Sequence, residues 1–488
     1  MKILLLNPPL FDPKKYGKDI LLGGAPALGL GYIGALLKKE GLEVSVVDLY
    51  FHSWREAERL IRKQQPAIVG ITCLTEGRTN AFRLADLVKS ISPDVKVVLG
   101  GHHATYMCKQ ILEHYQSVDY IVRGEGEKTF LELTMAMASG GSCSAIKGLA
   151  FRDGSRIVLT PHREPIADLD SLPFPLYDHF DFNAYPDYRI KAAAGRRKWR
   201  RGERYVSMVT SRGCPGNCHF CSSTRFWRSG WRARSPESVI GEIEMLCKDY
   251  DAGYINFADD AFTVDQERAI AICKGIIAKK LDIVWDCTTR INHVSEETMR
   301  WMKRAGCLFT CFGIESGSGS ILKSINKGIG AEEVIEGFKS AKKAGLDAVA
   351  YIMVGNPGES EPTIKETASL LRTIRPRQTG ISIAMVFPGS ALYSRAKSDG
   401  LLNDAYWLTE LPPPPYTAEH SEKQLQAWKE NLLYASLPWH RKPRYHYMYH
   451  LRGPAFSRAL RCRDFLAEKT GVKITRRSVA LVRRGSAQ

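Results

Sequence analysis

Short apolar runs alternate with longer amphipathic segments along most of the chain, and the period of each segment sets its element. Over residues 1–140, Lys2–Leu6, Glu43–Val47, Ala67–Ile71, Lys96–Leu99 and Tyr120–Val122 are brief and apolar, which predicts strands. Between them, Gly31–Glu40, Trp54–Gln64, Thr79–Ser90 and Glu127–Met137 predict helices. Alternation at this spacing implies an α/β fold, a doubly wound, Rossmann-like parallel sheet with helices on both faces. Ligands of such sheets sit at the carboxyl ends of the strands. Here those ends carry Asn7-Pro8-Pro9, Asp48, Thr72, Gly100-Gly101-His102-His103 and Arg123-Gly124-Glu125-Gly126-Glu127. Small residues at several of them let a large flat ligand approach the backbone closely.

The pattern weakens over 141–199, a linker opened by Gly140-Gly141-Ser142 and punctuated by Leu172-Pro173-Phe174-Pro175. Within it, Ile146–Phe151 and Arg156–Leu159 read as a hairpin turning at Asp153-Gly154. Over 200–400 the alternation returns. Strands are expected at Tyr205–Val209, Tyr254–Phe257, Ile283–Thr288, Phe309–Ile314, Ala348–Val354 and Gly380–Val386, with helices between them. About six βα units make a partial (β/α)6 TIM-type barrel, whose polar strand ends are the expected catalytic positions. Over 401–488 the alternation stops at Leu411-Pro412-Pro413-Pro414-Pro415, and Ser421–Leu437 reads as a helix. The mostly helical, aromatic and basic end that follows suits packing, a cap on the open barrel, or peripheral contact with a membrane surface.

Composition narrows the class. The 488 residues contain no apolar stretch long enough for a spanning helix, and Ile3–Leu6 is too short for a signal-peptide core. Twelve cysteines without a small disulfide scaffold fit a reducing, cytoplasmic setting. The net charge of +17 is concentrated in two places, +7 over 189–204 and +11 over 441–488, on an almost neutral body. Solvated surface is the plain reading. Anionic substrate or phospholipid is the sharper alternative, and the lack of any recognised nucleic-acid module beside the patches argues against nucleic acid.

The chemistry is concentrated in Thr210-Ser211-Arg212-Gly213-Cys214-Pro215-Gly216-Asn217-Cys218-His219-Phe220-Cys221-Ser222. Cysteines at Cys-x3-Cys-x2-Cys, in a glycine-rich loop after a strand, line the loop with soft ligands. Structural zinc usually takes four ligands, and a simple iron–sulfur cube takes four cysteines. Three from one loop suggest a 4Fe-4S cluster with one iron left open; buried thiols or part of a zinc knuckle are the alternatives. Cys307 and Cys311 have no further ligands nearby in sequence and read as a buried pair.

This loop resembles that of the radical S-adenosylmethionine (SAM) superfamily. Pro26–Tyr32, Gly100-Gly101-His102 and Gly124–Glu127 resemble the cobalamin-binding domain that precedes many of its members. The resemblance implies three cofactors: a cluster on Cys214, Cys218 and Cys221, SAM on its open iron, and cobalamin. It places Phe220 beside the adenine, Asp259 and Asp260 at the methionine amino group, and Arg290 near the SAM carboxylate. Glu315 and Ser316 fall at the ribose, and Gly355 lies in a glycine-proline turn. Thr72, Gly100, Gly101, His102, Glu125 and Gly126 fall at the cobalamin. Residues 10–17 lack the histidine that ligates cobalt in other cobalamin domains, so no lower histidine is implied. The domain alone also suits a nucleotide or a bare scaffold. The implied reaction is methylation of an unactivated carbon of a small-molecule or lipid substrate, fed by a flavodoxin- or ferredoxin-type reductant. Oxidative cyclisation or rearrangement is the alternative, as in the anaerobic protoporphyrin cyclases, and a cobalamin or redox sensor is the distant one.

Overall fold

A computed structural model describes residues 1–9, 26–182, 185, 202–228 and 230–437. Most of the first basic patch and all of the second, with the segment 10–17, lie outside the described residues.

The first sheet has seven strands: β1 (Lys2–Asn7), β2 (Glu43–Asp48), β3 (Ile68–Thr72), β4 (Lys96–Gly100), β5 (Tyr120–Val122), β6 (Leu149–Asp153) and β7 (Arg156–Leu159). Their order is β2-β1-β3-β4-β5-β6-β7, with β1 to β5 parallel and β6 and β7 antiparallel. The expected hairpin thus forms and pairs onto β5, so the sheet takes in part of the stretch read as linker. Alternation along β1 explains the double winding. Ile3 and Leu5 pack toward one set of helices, Leu4 and Leu6 toward the other, and all four are at most 2 % exposed.

The second sheet is open, parallel and six-stranded: β8 (Arg204–Met208), then β11 (Ala252–Phe257), β12 (Val284–Thr289), β13 (Cys307–Glu315), β14 (Asp347–Val354) and β15 (Gln378–Ile383). Between β8 and β11 comes a two-stranded ribbon of β9 (Ser211–Gly213) and β10 (Trp231–Ala233). Parallel strands in sequence order, each joined to the next through a helix, make the partial barrel that the periodicity implies.

Buried aromatics join the two halves. Tyr177, Phe180 and Phe182 belong to the same apolar cluster as Ile3 and Leu5 of the first sheet and Val206 and Phe257 of the barrel. Behind the first sheet, the fully buried Arg78 donates to the carbonyls of Thr75 (3.1 Å), Trp407 (3.1 Å), Thr409 (2.8 Å) and Leu411 (2.6 Å). Four backbone acceptors satisfy the buried guanidinium and fix the C-terminal segment to the first domain. The helix Glu422–Ser436 packs beside β15 and the helix Glu361–Ile374. Among the described residues no helix is long and apolar enough to cross a membrane.

Candidate active site between the two domains

The cysteine loop leaves β9 at Gly213, whose φ is +89° and whose Cβ position lies 2.0 Å from the Gly230 carbonyl oxygen. Only glycine fits there. The loop is pinned on both sides. His219 N–H donates to Ile325 O (2.9 Å), Asn326 Nδ2 to Asn217 O (2.8 Å), and Cys221 N–H turns back to Cys218 O (3.1 Å). Cys218 is buried, while Cys214 and Cys221 are half-buried, and burial raises the Cys214 thiol above its usual range. Gly216 N–H donates to Cys214 Sγ at 3.4 Å, and Arg290 Nη1 to Cys218 Sγ at 3.6 Å. Among the described residues no three Cys, His, Asp or Glu side chains converge on one point as a single ion requires. A cube binds its thiolates at three separate iron corners, so it asks for no such convergence. The thiols, the backbone donor and the guanidinium fit an anionic cluster.

Asp259 and Asp260, adjacent in sequence, do different work. Asp259 is buried and fully committed. Its Oδ1 accepts Thr210 N–H (2.7 Å), and its Oδ2 accepts the hydroxyls of Thr210 (2.6 Å) and Ser211 (2.7 Å). It clamps the strand that delivers the cluster loop. Asp260 opens instead onto a cavity, touched by the Ser223 hydroxyl at 3.1 Å, and burial of the site raises its pKa.

Glu315 ends β13 at a register break with φ +70°, a left-handed conformation that costs a non-glycine residue about 1–3 kcal/mol. Its side chain folds back over Gly313, where a Cβ would lie 2.5 Å from Oε1, and is held by Lys327 Nζ at 2.8 Å. The same ammonium lies 5.8 Å from the Phe220 ring centroid, so Phe220, Lys327 and Glu315 form one group beside the cysteines. Ser316 is fully buried, its hydroxyl 3.2 Å from Thr367 Oγ1 and accepting from Ser318 N–H. Gly355 faces away, against Leu425 of the C-terminal helix, and its N–H donates to Glu359. Ser316 and Gly355 shape the strand ends without facing the cysteines.

The cavity, about 620 Å³, lies over the carboxyl ends of the first sheet. Its floor includes Thr72, Gly100, Gly101, His102, Glu125 and Gly126, all of them expected, and its far wall is Ser223, Phe226, Trp227 and Asp260 of the barrel domain. Cβ atoms at Gly29 and Gly124 would meet no protein atom, so bare backbone is presented to whatever binds there. An apolar, glycine-floored space of this kind fits the flat ring of cobalamin. His102 stacks on Phe226 at 3.9 Å and is held neutral by burial, with a pKa lowered to about 4. His103 is turned away, buried between Phe82 and Trp407.

Glu125 lines this cavity but spends its carboxylate on the domain junction. It accepts Arg212 Nη1 (2.8 Å), Arg232 Nη1 (3.0 Å) and Ile166 N–H (2.7 Å), while Glu127 accepts Arg212 Nη2 (2.6 Å). Arg212 stands two residues before Cys214, so one buried network couples the cavity's rim to the cluster loop. Tyr106 adds a second tie, its hydroxyl donating to Ser222 O at 2.7 Å. Arg212 and Glu127 lie 85 residues apart, and nothing local in the sequence pairs them. Tyr106 and Lys327 carry no local signal.

A mostly parallel sheet whose cavity adjoins the three-cysteine loop of a partial barrel defines a two-domain enzyme with a ligand cavity set beside a cluster-type site. Residues 21–134 match the B12 binding domain family and residues 208–371 the Radical SAM superfamily. An uncharacterised methyltransferase of Pyrococcus horikoshii is 34% identical over 83% of this chain and 85% of its own. The anaerobic magnesium-protoporphyrin IX monomethyl ester cyclase of Rubrivivax gelatinosus is 29% identical over 80% of this chain and 69% of its own. In fold, the chain is similar to the radical SAM methyltransferase TsrM of Kitasatospora setae, solved with cobalamin and a [4Fe-4S] cluster. The TM-score is 0.71 at 18% identity, covering 96% of this chain and 99% of that one. The protein belongs to the cobalamin-binding radical SAM enzymes, whose cofactors are a 4Fe-4S cluster, SAM and cobalamin.

Proposed function

We propose that this enzyme is a C-methyltransferase acting on an unactivated carbon of a small-molecule or lipid substrate. The observation that carries the reading is the shared cavity, floored by the cobalamin-type domain and walled by the barrel beside the cysteine loop. The relative of Pyrococcus horikoshii, a methyltransferase by name, supports it.

The cofactors, when bound, supply a carbon-centred radical and a methyl group. The chain's own share is to bind, orient and exclude water. Cys214, Cys218 and Cys221 hold the cluster, and Asp259 holds the strand that presents them. Asp260 faces the cavity, steadied by the Ser223 hydroxyl, and is placed to take an amino group of SAM or substrate. Lys327 fixes Glu315, whose second oxygen remains for a hydroxyl. Thr72, Gly100, Gly101, His102 and Gly126 floor the cobalamin, and stacking on Phe226 with the neutral state of His102 makes that residue a wall rather than a charge.

Methyl-labelled SAM, incubated anaerobically with reduced holoenzyme and candidate small-molecule extracts, should place label on carbon of a new product. The relationship to the protoporphyrin cyclase supports a second reading, oxidative cyclisation. A turned-over product without label would replace the first reading by the second.

A further inference from the structure

Arg290 is 8 % exposed, and among the described residues it meets no carboxylate. Its Nη2 donates to the Lys327 carbonyl, its Nη1 lies 3.6 Å from Cys218 Sγ, and its Nε is enclosed without an acceptor. An uncompensated buried cation remains costly even after the structure relaxes around it. Yet the fold makes deliberate room for it. A Cβ on Gly216 would stand 2.6 Å from Nη1, too close for both to keep their places. Sequence resemblance aims this residue at the SAM carboxylate, whereas the geometry aims it at a thiol.

We propose that Arg290 is the counter-charge of the cluster-bearing thiolates, and that its Nη1–H bond to Cys218 Sγ raises the potential at which the cluster accepts an electron. The proposal rests on the reading of Cys214, Cys218 and Cys221 as cluster ligands. Reduction adds one electron, from a donor of the ferredoxin or flavodoxin class, to a group already made anionic by its thiolates. A cation fixed beside it in a poorly solvated site favours the more negative state, and hydrogen bonds to sulfur are among the recognised controls of such potentials. Arg290 therefore acts through Cys218, as a positioning and tuning residue.

The test is a redox titration followed by electron paramagnetic resonance, on full-length, anaerobically reconstituted protein without SAM. R290Q should lower the reduction equilibrium constant about tenfold, or roughly 59 mV for one electron. R290K keeps the charge but loses the planar fork that spans Cys218 and the Lys327 carbonyl, so it should fall by less. G216A displaces the guanidinium without altering any charge and should also lower the potential. If R290Q does not assemble, R290K and G216A decide. Potentials equal to wild type in the variants that hold a cluster overturn the proposal. Wild-type protein that binds no cluster would instead remove the reading on which it rests.

Discussion

Asp259 and Asp260 are neighbours with separable consequences. In Asp259→Asn, one oxygen must serve where two served Thr210 N–H and the hydroxyls of Thr210 and Ser211, all within 2.7 Å. A hydrogen bond to a charged group contributes about 1.5–3 kcal/mol and a neutral one about 0.5–1.5. Three such downgrades remove roughly 3 kcal/mol, or about two decades in the equilibrium that keeps the cluster strand ordered. The loss falls on the strand entering Cys214, so Asp259→Asn should release iron to a chelator far faster than wild type. Asp260→Asn keeps one oxygen for its Gly213 and Ser223 donors and should keep its iron while binding SAM or substrate about tenfold or more weakly, the scale of one charge-assisted bond. Chelator-challenged iron release and equilibrium dialysis of SAM, run on both variants, separate the roles. Full iron retention with lost SAM binding in Asp259→Asn would refute the clamp.

Gly213→Ala should abolish cluster binding, because its Cβ would overlap the Gly230 carbonyl; iron content after reconstitution reports it. Gly29→Leu points into the cavity from the first turn of the helix Leu28–Lys39. Helix propensity should hold or raise the melting temperature by the equivalent of about 0.8–1 kcal/mol, while retained cobalamin, read by absorbance, falls at least tenfold. Burial raises the pKa of Glu359 from 4.5 to about 7, against donors from Gly355 and Asn356. As pH rises from 4.5 to about 7, the unfolded chain loses this proton before the folded one does. Stability therefore falls across that window and is flat above it, by at most about 3 kcal/mol. Glu359→Gln stays neutral, so its melting curves should lack this slope and exceed wild type at pH 8.

The fold was legible because each strand is a short apolar run closed by a polar or glycine-rich end, and parallel sheets bury both faces of such runs. The two helices of the stretch His102–His114 escaped notice, since each spans under two turns and shows no full apolar period. The cysteine loop was equally legible as a loop, its three thiols being local in sequence. Roles that depend on distant partners were not. Nothing near Asp259 announces that Thr210 and Ser211, some fifty residues earlier, consume both its oxygens. Glu125 reads as a ligand contact until Arg212 and Arg232 arrive from the barrel. Arg290 reaches Cys218 through the room that Gly216 leaves, which sequence spacing does not encode.

On the methyltransferase reading the two domains work on one substrate, with SAM serving both as radical source and as methyl donor. The direct measurement is the ratio of 5′-deoxyadenosine to S-adenosylhomocysteine formed by reduced, cobalamin-loaded protein during turnover of its substrate. Methyl transfer through cobalamin predicts both products in near-equal amounts. 5′-Deoxyadenosine accumulating with product while S-adenosylhomocysteine stays absent would contradict it.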